Sequence, residues 1–440
     1  MSKNRLNIAM IVRLYPPVNS SGAKRAEALS KYFARMGHNV SVITPAKTLA
    51  DGELTEVIPD GVNLIELDRY GRDSKSTAVG SAHEPLYAEN RSLKRRVKDT
   101  VMQLFGQLPD PRLPFILSLR SPRLSARADH AFREADVVIG SCPPWSMLLG
   151  AILVKKRYGV PSILDYRDHF ADNWEMPGSE FAKWLERKVD RWLISRADHA
   201  VAISAPMRDY YAAMSATPCK MIMNGFDQEK VDRAKPTSQI KEDGLVLIRH
   251  TGKVSPKRLP TSLFDAMARL REVAPEKAER VRLEFYGYSD VFERAIQTKY
   301  PQLLDLVSFH ETVPHNEALE LMHSANYLLF CGVLRVENES ARGVLTTKLF
   351  EYLATGRPIL GHTDPTTIAA DLVRDCGGDH LISDKAEDYL EMLESPEFYV
   401  RKPPYVGANV STLTRESQAM EYAELLSEVV ERNPGRPRND

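Results

Sequence analysis

One stretch, residues 342–360 (RGVLTTKLFEYLATGRPIL), most constrains how this chain can fold. Apolar residues recur at helical spacing from Leu349 to Ala354, and Gly356 suits the left-handed residue just past a helix end. The next residues, 357–360, are predicted to form a buried strand. A helix that passes directly into a buried strand is typical of an α/β protein with a parallel sheet.

The start of this predicted helix also indicates a binding site. Thr346 or Thr347 can cap the helix by accepting a hydrogen bond from a first-turn N–H. Unpaired N–H groups and the positive dipole end suit a phosphate there, and Lys348 adds a charge. Glu351, one turn later, can accept a hydrogen bond from a sugar hydroxyl. An ordinary helix–strand unit with a solvated lysine and glutamate explains the same pattern equally well.

The same α/β pattern recurs in both halves of the chain. Apolar runs of strand length, most of them followed by loops and helical patterns, occupy residues 6–12, 39–44, 136–140, 161–166, 198–204, 245–250, 281–286, 306–309 and 326–331. Such units bind ligands at loops outside the strand ends. The first loop lacks the spacing G-x-G-x-x-G, so a dinucleotide cofactor is not indicated.

These patterns predict two doubly wound, Rossmann-like parallel-sheet domains. The first covers residues 1–227, and residues 228–244 form a polar linker. The second domain covers residues 245–410, and residues 411–440 hold an amphipathic terminal helix followed by a polar tail. A chain of 440 residues is long enough for two such cores.

Composition excludes several classes of protein. Lys plus Arg equals Asp plus Glu at 59 each, so no global field selects nucleic acid. The sequence has no membrane-spanning apolar run, no signal peptide and no cysteine cluster with zinc spacing. Four dispersed cysteines (Cys142, Cys219, Cys331, Cys376) fit reduced thiols. We therefore expect a cytoplasmic protein.

Residues 91–108 (RSLKRRVKDTVMQLFGQL) leave two interpretations open. A basic amphipathic helix can lie on an anionic membrane surface. An ordinary helix with a solvated basic face fits as well. Residues 181–196 also read as a helix, and there the apolar stripe that includes Trp184 and Trp192 is predicted to be core.

Two polar clusters follow predicted strands. One is an acid–base cluster formed by Asp165, Arg167, Asp168 and His169, in which a carboxylate can orient or deprotonate an acceptor hydroxyl. A structural Arg–Asp pair is the alternative, and His169 alone is a weak candidate. In the second half, Gly252 is followed by the cations Lys253, Lys257 and Arg258, which suits an anion site or, alternatively, a solvated loop.

The sequence TKLFEYLATGRPIL resembles the C-terminal signature of GT-B glycosyltransferases, in particular the family-4-like bacterial enzymes. The resemblance implies that the helix start at Thr346 and Thr347 holds the diphosphate of a nucleotide-sugar, and that Glu351 binds the ribose. It extends to YPPVNSSGAKRAEALSKYFARMGHNVSVIT, where Gly22 and Arg25 match positions near the donor sugar and phosphate.

Further motifs extend the resemblance through the chain. Residues 141–146 and 165–168 are similar to the S-x-P-P-x-S and D-x-R-D stretches of these enzymes, and residues 222–227 to I-x-N-G-x-D. The resemblance implies that Lys253 and Arg258 grip the diphosphate, with Lys257 as a competing choice. The glycine loop at Gly287 and the base-reading loop at His315 complete the donor site.

One position departs from the family pattern. Many relatives carry a glutamate next to the donor sugar where this chain has Gly343. Nearby Glu337 or Glu339 can substitute for it. The departure leaves contacts with the transferred sugar open.

The resemblance implies GT-B architecture, with two domains that face a central cleft and a terminal helix that returns to the first domain. It implies a retaining hexosyltransferase that acts on a surface polysaccharide or glycolipid precursor. The partners are a nucleotide-sugar and a sugar or lipid-linked acceptor at the inner membrane face. The sequence has no D-x-D metal motif, and neither a metal nor another cofactor is expected. Alternatives are a nucleotide-sugar epimerase, a phosphorylase, or a catalytically weakened binding subunit.

Overall fold

The computed structural model describes residues 5–47, 51–77, 104–176, 178–235, 244–287 and 290–433, together with residues 100 and 102. The chain separates into two compact units. Unit 1 contains residues 1–223 and 415–440, and unit 2 contains residues 224–414. The basic segment at residues 91–99 and the polar tail at 434–440 lie outside the described residues.

Unit 1 is built on a sheet of seven parallel strands in the order β3-β2-β1-β4-β5-β6-β7. Its strands are β1 (Asn7–Ile11), β2 (Asn39–Pro45), β3 (Val62–Leu67), β4 (Val137–Cys142), β5 (Ser162–Tyr166), β6 (His199–Ala202) and β7 (Cys219–Met221). Its first helices are α1 (Lys24–Arg35), α2 (Leu113–Ser118), α3 (Ala126–Glu134), α4 (Ser146–Tyr158), α5 (Glu180–Ile194) and α6 (Ala205–Met214).

Unit 2 has a six-stranded parallel sheet in the order β10-β9-β8-β11-β12-β13. The strands are β8 (Val246–Thr251), β9 (Val281–Tyr286), β10 (Val307–His310), β11 (Tyr327–Cys331), β12 (Ile359–His362) and β13 (Leu381–Ser383). The helices are α7 (Gln228–Arg233), α8 (Thr261–Val273), α9 (Pro275–Ala278), α10 (Asp290–Lys299), α11 (His315–Ser324), α12 (Glu339–Arg342), α13 (Thr347–Thr355), α14 (Ile368–Cys376) and α15 (Ala386–Glu394). The chain then enters α16 (Arg415–Arg432).

The predicted α/β class with two parallel sheets is confirmed. In each sheet the strand order reverses beside the first strand, between β1 and β4 in unit 1 and between β8 and β11 in unit 2. Ligands of such sheets bind outside the carboxyl ends of the strands at this reversal. We call the loops at these strand ends the rim of each unit.

The cores follow from the period-2 alternation of the buried strands. Along β1, Ile8 and Met10 pack on one face of the sheet and Ala9 and Ile11 on the other. The first face is covered by α1 and α16, with Phe33 and Tyr422 in edge-to-face contact at 5.8 Å. The terminal helix is therefore part of the unit 1 core.

The first part of the segment predicted to be a linker is a helix of unit 2. Residues 228–233 form α7, and Asp227 caps it by accepting a hydrogen bond from the Lys230 N–H. Val231 is buried, so this part of the segment packs as an element of unit 2. Residues 236–243 lie outside the described residues. The low apolar content of this segment predicted a linker, because a single buried valine and a capping aspartate are too weak a pattern to indicate a helix.

The four cysteines contain no disulfide. Within the part of the chain that the structure describes, no helix is long and apolar enough to cross a membrane.

Candidate active site

Two glycines shape the rim of unit 2. Gly252 follows β8 with φ +88°, and Gly287 follows β9 with φ +107°. A Cβ on Gly287 would lie 2.8 Å from the Gly252 Cα, and a Cβ on Gly252 would lie 2.7 Å from the Lys348 Cε. Both positions exclude a side chain, because the backbones touch each other and the lysine stem. The two loops predicted from sequence thus meet at one place.

Lys348 joins the start of α13 to this loop. Its ammonium donates a hydrogen bond to the Lys253 carbonyl oxygen at 2.8 Å and lies 3.2 Å from the His250 Nε2. Burial, together with the nearby Arg258 guanidinium, lowers the pKa of Lys348 to about 8. An anion beside this ammonium would favour its charged form. The loop at Gly252 and Lys253 therefore holds the Lys348 ammonium at the rim of unit 2.

His250 supports this lysine from below. Its Nδ1 lies 2.8 Å from the Leu329 carbonyl oxygen, which leaves Nε2 to accept from Lys348 when Nδ1 carries the proton. Burial, together with the Lys348 charge, lowers the pKa of His250 to about 3. A neutral imidazole adds no competing positive charge beneath the rim. Sequence analysis missed His250, whose only signal is its place two residues before Gly252.

The predicted diphosphate cations differ in their placement. Arg258, at the end of a 3₁₀ turn formed by Pro256–Arg258, is partly buried and close enough to Lys348 to affect its pKa. Lys253 and Lys257 are exposed. The structure therefore brings Arg258 and Lys348 together and leaves the side chains of the other two lysines at the surface.

The start of α13 carries an open hydroxyl. Thr346 is the N-cap residue, but its side chain makes no capping hydrogen bond, contrary to the predicted cap. Its Oγ1 is buried and has no hydrogen-bond partner within the described residues. Thr347 is the first helical residue. The N-terminal N–H groups of a helix lack intrahelical acceptors, so this end presents donors and an unused hydroxyl together.

Glu351 and His315 form a pair. The His315 Nε2 lies 2.9 Å from Glu351 Oε1, which places the first residue of α11 against the second turn of α13. The carboxylate can only accept, so Nε2 donates. The His315 Nδ1 is buried without a partner in the described chain. Two residues predicted to contact the nucleoside therefore lie together, with one acceptor still open.

Tyr352, another residue that sequence analysis missed, fixes α13 in place. Its hydroxyl accepts a hydrogen bond from the Thr251 N–H at 3.0 Å, at the last residue of β8. The side chain is fully buried. This bond sets the helix start against the Gly252 loop, and nothing in the spacing of apolar residues distinguishes it from ordinary core.

The candidates for the missing glutamate lie at the surface. Glu337 and Glu339 are exposed, and Glu339 Oε2 is 3.5 Å from the Arg342 Nη1 within α12. Gly343, the C-cap of α12, is buried. The structure gives neither glutamate a contact with the residues around Lys348.

In unit 1, Arg25 is committed to a buried ion pair. Its guanidinium donates to both carboxylate oxygens of Asp165 at 2.9–3.2 Å and to the carbonyl oxygens of Met223 and Ile222. Asp165 also accepts from the Ser141 hydroxyl. The alternative of a surface arginine is wrong, because Arg25 is buried, whereas its predicted contact with the donor stays a prediction. Arg25 instead ties α1 to β5 and to the end of β7.

Arg167 is a positioning residue in this structure. Its guanidinium donates to the carbonyl oxygens of Cys142, Pro143 and Gly22. These contacts are with backbone oxygens rather than with a carboxylate, and the predicted catalytic role of Arg167 stays a prediction. The arginine holds the Gly22 loop against the loop that follows β4. A Cβ on Gly22 would lie 2.8 Å from the Leu14 Cδ1.

The next two residues behave in opposite ways. Asp168 is exposed on the rim. His169 is buried, and neither ring nitrogen has a hydrogen-bond partner among the described residues. Burial lowers the pKa of His169 to about 4, which makes the ring neutral. The structure therefore leaves Asp168 as the accessible member of the predicted acid–base cluster.

Arg13 and Asp110 were missed by sequence analysis. Arg13 follows β1 at the reversal of the sheet, and its Nε is buried with no partner in the described chain. The Asp110 Oδ2 is also buried with no hydrogen-bond partner in the described chain. The charges of Arg13 and Asp110 attract each other. An open donor and an open acceptor together suit a sugar hydroxyl. Proline-rich surroundings gave no pattern that could single them out.

No group of three or more His, Cys, Asp or Glu side chains in the described ranges lies close enough together to hold a metal ion.

A family model matches the first unit. Residues 22–225 match the model of the glycosyl transferase 4-like domain. These residues, a little under half of the chain, are therefore similar to a glycosyl transferase 4-like domain. This match covers the Gly22 loop, the Arg167 loop and the asparagine–glycine turn that the sequence resemblance used.

Solved structures of GT-B proteins match the fold over nearly the whole chain. A sucrose-phosphate synthase from Thermosynechococcus elongatus aligns with a TM-score of 0.64 at 17% identity, covering 97% of this chain and 100% of that one. A UDP-forming trehalose-phosphate synthase from Burkholderia vietnamiensis aligns at 0.57 and 10% identity, covering 97% and 99%. At these identities the likeness shows the fold alone. No curated protein matches this GT-B chain in sequence.

Proposed function

We propose that this GT-B protein transfers a sugar from a nucleotide-sugar to a hydroxyl acceptor, with the donor diphosphate on the rim of unit 2. One observation carries the proposal. Lys348, with Arg258 near it, and the Thr346 hydroxyl, which has no partner among the described residues, lie at the start of α13 beside the Gly252 loop. The similarity of residues 22–225 to the glycosyl transferase 4-like domain supports the same reaction class.

The chemistry requires positive charge at the diphosphate. When the glycosidic bond to the donor breaks, negative charge develops on the departing nucleoside diphosphate. Fixed donors aimed at that position stabilise the transition state more than the ground state. Lys348 and Arg258 supply two cations, and the first-turn N–H groups of α13 add the helix dipole. Lys253 and Lys257 add charge from the exposed loop. We propose that these groups suffice without a metal.

The nucleoside end is proposed to lie at His315 and Glu351. The carboxylate accepts hydrogen bonds from ribose hydroxyls, and the open Nδ1 of His315 accepts one from the base. Because Glu351 lies one turn after Lys348 on α13, a single helix addresses both the phosphate and the ribose.

The acceptor end is proposed on unit 1. The exposed Asp168 can orient or deprotonate the acceptor hydroxyl, and Arg167 keeps the neighbouring loops in register. Retention of anomeric configuration, a sugar or lipid-linked acceptor, surface polysaccharide or glycolipid synthesis and contact with the inner membrane face complete the proposal. These finer points rest on the sequence resemblance.

The test is release of nucleoside diphosphate from UDP-, GDP- and dTDP-sugars with sugar and lipid-linked acceptors. UDP-sugars come first, because one fold neighbour is named as UDP-forming. We expect acceptor-dependent release that is unaffected by chelator and reduced in Glu351→Ala, with exposed Lys299→Ala as the control. Absence of release with every donor would contradict the proposal. Conversion of a donor to its epimer without an acceptor, or absorption of a lysine-bound pyridoxal phosphate, would identify one of the alternative enzymes.

A further inference from the structure

Helix α5 buries charged side chains and exposes aromatic ones, which is the reverse of an ordinary surface helix. Its fully buried positions include the charged Glu186 and Asp190. Its aromatic residues point outward, with Phe181 59%, Trp184 49% and Trp192 41% exposed. The prediction that Trp184 and Trp192 are core residues is therefore wrong. Large aromatic side chains are normally buried, so an exposed row of them needs a separate explanation.

The buried carboxylates of α5 accept hydrogen bonds from neighbouring segments of unit 1. Glu186 Oε1 accepts from the Gln107 N–H at 2.6 Å, and Asp190 accepts from the Ala171 N–H and the Tyr166 hydroxyl. Burial raises the pKa of Asp190 to about 7. The inner face of α5 thus anchors two loops and has no room for the aromatic row. Apolar periodicity alone cannot tell which side of a helix faces inward.

The outward row lies along one line of the helix. Phe181, Trp184, Lys188 and Trp192 follow one another at intervals of three or four residues, which places them on one face. Phe181 and Trp184 stack at 5.9 Å between ring centroids, and the Lys188 Nζ lies 5.6 Å from the Trp184 ring. Leu104 and Phe105, 53% and 46% exposed, adjoin the helix start through a hydrogen bond from Ser179 to the Leu104 carbonyl oxygen.

We define the aromatic face as the exposed side chains Leu104, Phe105, Phe181, Trp184 and Trp192. Cations accompany it. Lys188 and Arg191 are exposed on α5, and the Arg196 guanidinium lies 4.3 Å from the Trp192 ring. On α5 itself, Glu180 is the exposed acidic residue, because the other two carboxylates are buried. The face therefore combines aromatic rings with a net positive charge.

We propose that the aromatic face docks on a membrane surface with anionic lipid headgroups. Tryptophan and phenylalanine rings fit the headgroup region, where one edge meets hydrocarbon and the other meets water. Lysine and arginine beside them attract anionic lipids. This surface differs from the basic segment at residues 91–108 that the sequence suggested. The proposal goes beyond the transfer reaction and does not depend on it.

Charge argues against two other occupants. A second copy of the chain would bring two positive faces together, which is unfavourable. The preceding residues 78–99 contain five basic residues (Arg91, Lys94, Arg95, Arg96, Lys98) against three acidic ones (Glu84, Glu89, Asp99). A segment of the same sign is a poor cover for this face. An anionic surface complements it.

The experiment is flotation of the full chain with phosphatidylcholine vesicles, with and without phosphatidylglycerol, in the absence of any donor. We expect binding only to the anionic vesicles, and weaker binding as salt is raised. Phe181→Ser/Trp184→Ser should reduce the partition coefficient by about tenfold or more. The matched control is Val273→Ser/Leu304→Ser, which removes two exposed apolar side chains of unit 2 and should bind normally.

Lys188→Glu/Arg191→Glu separates the two contributions. It should reduce binding at low salt and remove most of the salt dependence, while circular dichroism stays unchanged. The proposal is overturned if the wild-type chain does not float with anionic vesicles, or if Phe181→Ser/Trp184→Ser floats normally. A change from dimer to monomer in that variant by analytical ultracentrifugation would assign the face to a second copy instead. Diphosphate release with a soluble acceptor should be equal in all these variants, so failure of the transfer reaction is scored separately.

Discussion

The two rims use arginine and lysine in different ways. In unit 1, Arg25 and Arg167 spend their donors on Asp165 and on backbone carbonyl oxygens. In unit 2, the partly buried Lys348 ammonium uses two of its three N–H donors on the Lys253 carbonyl oxygen and the His250 Nε2, and keeps the third beside Arg258. A cation after a parallel strand is therefore not by itself a ligand site. A cation can bind a ligand only with N–H donors that are not already bonded within the protein.

The same contrast applies to the hydroxyl and imidazole groups. Thr346 and His315 in unit 2 each retain a buried polar atom without a partner in the described chain. In unit 1 the buried polar atoms without a partner in the described chain include those of Arg13, Asp110 and His169. Buried polar atoms without partners are uncommon in folded proteins, so those that lie at a rim are candidates for hydrogen bonds with a substrate. The following predictions test this contrast, from the largest effect to the smallest.

Arg25→Met should be the most damaging substitution. It leaves Asp165 as an uncompensated buried charge, which typically costs about 3–5 kcal/mol of stability. The free energy of unfolding, measured in denaturant, checks this. The exposed pair of Arg127 and Asp73, at 3.9 Å, provides the control, because Arg127→Met should cost less than about 1 kcal/mol. If Arg25→Met is stable but loses donor binding, the assignment of Arg25 as structural is wrong.

Lys348→Ala should weaken binding of a nucleoside diphosphate most strongly among the unit 2 cations. Hydrogen bonds to charged groups contribute about 1.5–3 kcal/mol, which corresponds to roughly 10- to 150-fold in Kd. Isothermal calorimetry with UDP and GDP measures the effect. Lys257→Ala, which changes an exposed lysine of the same region, should change Kd less than about threefold. Equal effects of the two variants would contradict the placement of the diphosphate.

Glu351→Ala should weaken nucleotide binding more than Arg167→Ala does. The first variant removes the acceptor for the ribose hydroxyls, which typically costs about 1 kcal/mol or roughly fivefold in Kd. The second disturbs loops of unit 1, where no nucleotide contact is proposed. Calorimetry with the same nucleotide compares them. Equal or reversed effects would show that the donor and the acceptor have been assigned to the wrong units.

The pH dependence of nucleotide binding should be the smallest effect near neutral pH. The pKa of Lys348 is lowered to about 8, so the ammonium is charged below that pH and loses its proton above it. Affinity should be constant at neutral pH, fall about twofold at pH 8, and fall roughly tenfold further per pH unit where the charge is required. Lys348→Arg should remove this step.

The stability of the protein should respond to the same lysine with the opposite sign. Between about pH 8 and the ordinary lysine pKa of 10.5, the unfolded chain holds a proton that the folded chain has lost. The free energy of unfolding therefore gains a contribution that rises with pH in this window.

A nucleotide affinity that stays flat through pH 9 would show that the Lys348 charge does not contact the diphosphate.

The elements most accessible to sequence reasoning were the strands and the glycine loops. β9 was predicted with its observed ends, and β8 and β11 within one residue, because short runs rich in apolar residues and next to a glycine have few alternatives in an α/β protein. The meeting of Gly252 and Gly287 also follows from their places after neighbouring strands. His315 and Glu351 were assigned to one site only through the family resemblance.

Local sequence determined the periodicity of the elements, the strand–loop–helix order and the glycines that a close backbone approach requires. Tertiary structure alone decided which charges are used internally. Arg25 lies 140 residues from Asp165 and Lys348 lies 98 residues from His250, so no local pattern records either contact. The inversion of α5 has the same origin. Its carboxylates face inward because distant loops present N–H and hydroxyl donors there, and that choice turns its aromatic row towards the outside.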